Sequence, residues 1–161
     1  MKMIMKYPLT KIALLFCALT PLAIAEEPAK KTQVYFFAGQ SNMDGRADAA
    51  KLSEDDLKRL KAVQDRVEFH YNWKPVSKLG VTDPAKHTKK KFSFDKCFGP
   101  ELFFGIALAE ANPDERYIFI KRSQGGTSLY GCWNPDWTVE KATLMNEQKQ
   151  PKLYHDFSKY S

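Results

Sequence analysis

Histidine and cysteine are scarce in this chain, with three of each among 161 residues. The cysteines show no metal-ligand spacing, which argues against a zinc ribbon or finger. No long hydrophobic run occurs. The most apolar stretch, Ile12 to Leu19 ("IALLFCAL"), is too short to cross a bilayer as a helix. Internal repeats and low-complexity segments are also missing, so repeat arrays and biased tails are set aside. Dense positive charge is confined to Lys89-Lys90-Lys91, with few aromatic residues around it. That pattern suits a solvated loop better than a nucleic-acid surface.

What is present begins with an export signal. Lys2, Lys6 and Lys11 form a basic leader, the short apolar core follows, and Ala23-Ile24-Ala25 is a small-residue cleavage site before Glu26. Residues 1–25 thus read as a signal peptide rather than a stable membrane anchor. The exported chain is expected in the periplasm or outside the cell. Cys17 raises the alternative of a lipoprotein, but Phe16 before it is bulky for such a processing site. Setting the three leader lysines aside leaves 22 basic against 19 acidic residues, a net charge of +3. Cys97 and Cys132 could pair in an oxidising compartment, or remain free; spacing does not decide it. The remaining residues, about 136, suffice for one domain with a real core.

Gln33 to Ala38 reads as a strand buried on both faces, cut off by Gly39. A helix is expected from about Glu54 to Val63, with Ser53 as N-cap and Asp56 completing a capping box. Val67, Phe69, Tyr71 and Trp73 alternate with Glu68, His70 and Asn72, a strand with one apolar face that ends at Pro75. Residues 74–97 form a polar loop too long for a mere connector. In "FGPELFFGIALAEANP", Pro100 suits the first turn of a helix, Asn112-Pro113 ends it, and Leu102, Phe103, Ile106, Ala107 and Leu108 supply an apolar stripe. Tyr117 to Ile120 ("YIFI") is another buried strand. Residues 151–161 look like the opening of a further helix. Strand, helix, strand, helix, strand points to an α/β sheet with crossover helices.

Two short motifs directly follow apolar strands: "GQSNM" at residues 39–43 and "GGTS" at 125–128. In open parallel sheets ligands bind beyond the carboxyl ends of the strands, so both should sit on one edge. A glycine before Ser41 allows a tight turn, and a helical turn after it would aim backbone N–H groups at an oxyanion. Serine needs a neighbouring base to become a nucleophile. The same tetrapeptide is also ordinary turn composition, and "GGTS" an ordinary flexible loop. On chemistry alone both readings stand.

The order "FFAGQSNMDG", "FGPELFFG", "IFIKRSQGGTSL", with Trp133 shortly after, resembles the SGNH hydrolases. Within them it is similar to the branch that holds sialate O-acetylesterases and acetylxylan esterases. The likeness runs from about Gln33 to Tyr160. It implies a doubly wound three-layer α/β/α sandwich, usually of five parallel strands, that needs no metal or organic cofactor. It makes Ser41 the nucleophile on an acetyl ester of a carbohydrate. Ser41 and Gly99 would contribute backbone N–H groups to the oxyanion hole. Gln40, Asn42, Gly125, Gly126, Thr127 and Ser128 would line the substrate side, with Asn42 holding the turn rather than reacting.

Two later motifs of that branch do not occur: W-x-Q-G-E, whose glutamine completes the oxyanion hole, and D-x-x-H, which supplies the general base. His70 lies on the polar face of a strand, His87 in the Lys-rich loop, and His155 directly precedes Asp156, where adjacent helical side chains diverge. None is assigned as the base. In the common doubly wound order the first strand is central and "YIFI" pairs on one side only, leaving an apolar edge. The expectation is therefore the N-terminal portion of a longer esterase domain, residues 26–161, nearly inactive alone. The alternative is a catalytically inactive relative that binds glycans through Trp133, Trp137 and the long loop.

Overall fold

The computed structural model describes residues 32–160, and the export signal read over residues 1–25 lies outside them. In chain order the elements are β1 (Thr32–Gly39), α1 (Ser41–Asp44), β2 (Ala47–Asp48), α2 (Glu54–Val63), β3 (Val67–Tyr71), β4 (Ser77–Lys78), α3 (Lys86–Phe92), β5 (Cys97–Phe98), α4 (Glu101–Ala111), β6 (Arg116–Ser123), α5 (Val139–Leu144) and α6 (Leu153–Phe157). The main sheet has the order β1-β6-β3-β4. Its first two pairings are parallel and the last antiparallel. β2 and β5 make a separate antiparallel pair. The fold is α/β, as expected.

The strand order differs from expectation. β6 is flanked by β1 and β3, while β1 stands at the edge among the described strands. β6 is buried along nearly its whole length, including its polar end Lys121-Arg122-Ser123, because it is covered on both sides and both faces. β1 is not buried on both faces. Tyr35 and Phe37 pack against Phe104 and Phe119, whereas Val34 and Phe36 on the other face stay 48% and 46% exposed. Phe36 is met edge-on by Phe157 of α6, with ring centres 5.5 Å apart. A continuous apolar run does not distinguish one covered face from two.

α2 forms as its capping box dictates. Ser53 Oγ accepts from the Asp56 N–H at 3.1 Å, and Asp56 Oδ2 accepts from the Ser53 N–H at 3.0 Å. Leu60 and Val63 of α2 join Leu102, Ile106 and Ala109 of α4 over Val67, Phe69, Tyr117 and Phe119 of the sheet. α4 lies close because residue 105 is glycine: a Cβ there would stand 2.6 Å from Leu79 Cδ2 and 2.9 Å from Phe119 Cε2. The expected stripe on α4 is narrower than read, since Phe103 and Ala107 turn outward.

β3 stops at Tyr71, two residues before the strand read from alternation. Asn72 and Trp73 take φ of 47° and 62°, which turns the chain and leaves Trp73 exposed. Residues 74–97 are not a plain loop, since they contain β4, α3 and the start of β5. Lys89, Lys90 and Lys91 are exposed on α3.

Candidate active site

β1 and β6 end side by side, with Gly39 opposite Ser123. The two motifs therefore leave the same sheet edge from neighbouring strands, and the Gln124 N–H donates to the Gly39 carbonyl at 3.2 Å. Ser41 opens α1, which Gln40 caps. The Gln40 side-chain oxygen accepts from the Ser41 N–H at 3.1 Å and from the Ser41 hydroxyl at 3.0 Å. One turn on, the Asp44 N–H donates to the Gln40 carbonyl at 2.9 Å. Gly45 then takes φ 97°, where a Cβ would sit 2.6–2.7 Å from the backbone of Phe98 and Gly99. Only glycine lets the chain leave α1 across that segment.

Asp44 ties the two motifs together. Its buried carboxylate accepts from the Gly125 N–H at 2.9 Å, and Tyr71 donates its hydroxyl to the Asp44 carbonyl and carboxylate at 3.3 and 3.4 Å. Burial, with the Asp44 charge adding to it, pushes the Tyr71 phenol well above its ordinary range. Asp44 falls within "FFAGQSNMDG", but the sequence does not single it out, because its partners are 27 and 81 residues away.

The remaining site residues fall as follows. The Gly99 N–H donates to Glu101 Oε1 at 3.3 Å. Gly126 takes φ 75° with open space around it. Thr127 donates its hydroxyl to the Gln124 carbonyl at 2.7 Å, and Ser128 Oγ accepts from the Gly131 N–H at 2.9 Å. Gln40 and Thr127 share a small cavity of about 160 Å³ with Ala38, Gly39, Leu129 and Trp133. Asn42 borders a second, shallower cavity together with Arg46 and Gly99.

Below the edge, Lys121 and Glu101 are both fully buried and meet at 2.8 Å. Burial draws the Lys121 ammonium below its ordinary range, against the opposing pull of Glu101.

Among the described residues no histidine hydrogen-bonds the Ser41 hydroxyl. His70 pairs with Glu68 at 2.5 Å, on the polar face as read. Asp156, the neighbour of His155, is committed to Arg122 at 2.9 Å. His87 is the surprise. Carried by α3, its Nε2 lies 3.4 Å from the Arg46 guanidinium, and a Cβ on Gly125 would come within 3.3 Å of it. It lines a polar cavity of about 290 Å³ with Asp44, Asn72, Lys74, Lys86 and Gln124.

Cys97 and Cys132 are both buried free thiols. Burial, reinforced by Glu147, pushes the Cys132 thiol up to about 12. Both tryptophans of the glycan-binding alternative are half-buried and already in contact with other side chains. Trp133 packs edge-on against Phe157, and the Lys152 ammonium sits 4.0 Å over Trp137. No helix among the described residues is long and apolar enough to cross a membrane.

Parallel strands that deliver a serine-led turn and a glycine-rich loop to one carboxyl edge have the layout of an α/β protein with its ligand site at that edge. Comparison with protein families narrows this: a family model described as carbohydrate esterase, sialic acid-specific acetylesterase, matches residues 31–157, and the chain belongs to that family. No curated protein sequence matches it.

Proposed function

We propose that the chain is an exported serine O-acetylesterase whose substrate is an acetylated glycan, a sialic acid or xylan, with Ser41 as nucleophile. The observation that carries this reading is the placement of Ser41 at the head of α1, on the strand edge shared with the Gly125–Ser128 loop. Ser41 Oγ attacks the acetyl carbonyl carbon, and its proton passes by way of a general base to the departing sugar oxygen. The acetyl-enzyme is then hydrolysed by water, which releases acetate and restores the serine. The Ser41 N–H, now bonded to Gln40, becomes an oxyanion donor once that side chain swings aside. Gly99 can add its N–H only by giving up Glu101.

Among the described residues no general base touches the Ser41 hydroxyl, which bonds to Gln40 instead, so turnover in this arrangement is slow. Loss of a triad base costs several powers of ten in rate. Hydrolysis of an aryl acetate by this chain, with Ser41→Ala as control, tests both halves. Slow, Ser41-dependent release is expected. Turnover near an ordinary enzyme rate, about 10 per second, would sink the claim that no base is in place at Ser41. Release unaffected by Ser41→Ala would sink the nucleophile.

A further inference from the structure

The buried pair Lys121–Glu101 touches more than itself. Lys121 Nζ donates to Glu101 Oε2 at 2.8 Å and to the Asp44 carbonyl, at the end of α1, at 3.3 Å. It also lies 4.6 Å from the centre of the Tyr71 ring. The other carboxylate oxygen, Glu101 Oε1, accepts from the Gly99 N–H. The backbone at Gly99 is pressed onto all of these groups. A Cβ there would stand 2.5 Å from Glu101 Oε2, 2.9 Å from Lys121 Nζ and 3.0 Å from the Met43 carbonyl. One ion pair on the central strand therefore reaches both the Ser41 turn and the Gly99 segment. Through Asp44 it reaches the Gly125 loop as well.

Stability does not account for such a pair. Taking two charges out of water costs about as much as their attraction returns, and apolar side chains of similar volume are often equally stable or better. An apolar pair cannot, however, donate to a carbonyl and accept from an amide at fixed positions. Ser41 and Asp44 belong to the same four-residue helix, so holding the Asp44 carbonyl holds Ser41.

We propose that Lys121 and Glu101 are positioning residues, which lock the Ser41 turn to the Gly99 segment so that the nucleophile keeps a fixed place against the walls of the site. The proposal rests on the reading of Ser41 as nucleophile, but part of its test does not. In the double variant Lys121→Met/Glu101→Leu the charges go and the volume stays. That variant is expected to unfold cooperatively near the parent midpoint. Hydrogen exchange at the Gly99 and Asp44 amides should rise at least about tenfold, with Ile118–Ile120 of β6 unchanged. Acetylation of Ser41 by an aryl acetate, followed by intact mass, should slow roughly 100-fold, as expected for a displacement near 1 Å.

A second double variant, Lys121→Met/Glu101→Gln, keeps an acceptor for Gly99. It should restore protection at Gly99 while Ser41 acetylation stays slow, a split that a purely structural role does not produce. Parent-like exchange and acetylation in the folded first variant would overturn the proposal. So would failure of both variants to fold, since the pair would then serve the fold itself. If Ser41 is not acetylated even in the parent, the nucleophile reading falls while the exchange arms still decide the positioning claim.

Discussion

Asp44 holds the site together at the scale of single residues. Its carboxylate is a charged acceptor for the Gly125 N–H, and hydrogen bonds to charged groups contribute about 1.5–3 kcal/mol. Asp44→Ala is expected to lower stability by about that amount in urea denaturation. Protection of the Gly125 amide should be lost with it, while α2 stays intact. The placement of Ser41, Gly125 and Thr127 is legible because glycines beside a hydroxyl, just after an apolar strand, signal a turn at the carboxyl edge of the sheet. That of Asp44, Glu101 and Lys121 is not. A charged residue reads as exposed unless its partner is known, and Lys121 reaches Asp44 across 77 positions of sequence. His87 reads as a loop residue because the helix α3 that carries it toward Gly125 has no side-chain cap to announce it.

Among the elements, α2 was readable to the residue because its start signal is local. Ser53→Ala removes the cap and should cost about 1 kcal/mol, seen as a lower midpoint in thermal or urea unfolding. α4 presents the opposite case. A glycine inside a helix normally favours replacement by alanine, by about 1 kcal/mol. Here the new methyl group would meet Leu79 and Phe119, both fully buried, at 2.6 and 2.9 Å. Overpacking costs about 1–3 kcal/mol, so Gly105→Ala should be net destabilising by the same urea measurement. A Gly105→Ala protein more stable than its parent would contradict the packing described. The faces of β1 escaped the sequence because Val34, Tyr35, Phe36 and Phe37 are apolar on both sides, so the strand's period carries no information about which side is covered.

For the whole molecule, the order β1-β6-β3-β4 depends on which apolar strand needs two neighbours, a question of tertiary packing that local pattern does not answer. Among the buried groups that titrate at high pH, Cys132 and Tyr71 carry the largest upward shifts. Cys132 is held neutral up to about 12 against an ordinary 9.0, and Tyr71 is raised above its ordinary 10.0. Both folded values lie above the unfolded ones. Their contribution is thus complete below pH 9 and falls as pH rises toward 12, because the unfolded chain releases its protons first. The thermal midpoint should therefore drop steadily from pH 9 upward, and Cys132→Ala should flatten the early part of that fall. Lys121, drawn below its ordinary range by burial, works in the opposite sense, so the deciding comparison is parent against variant: a pH 9 to 11 profile identical in Cys132→Ala would contradict the burial of that thiol.

The central claim is that Ser41 carries the acetyl group, and the most direct test is to find it there. The protein would be mixed with an aryl acetate, quenched in acid during the reaction, and mapped by peptide mass spectrometry. One added acetyl group on the peptide containing Gly39-Gln40-Ser41-Asn42-Met43, absent in Ser41→Ala and lost again on incubation in water, is the expected result. Acetyl found only on lysines, to the same extent in Ser41→Ala, would contradict the esterase assignment of this serine.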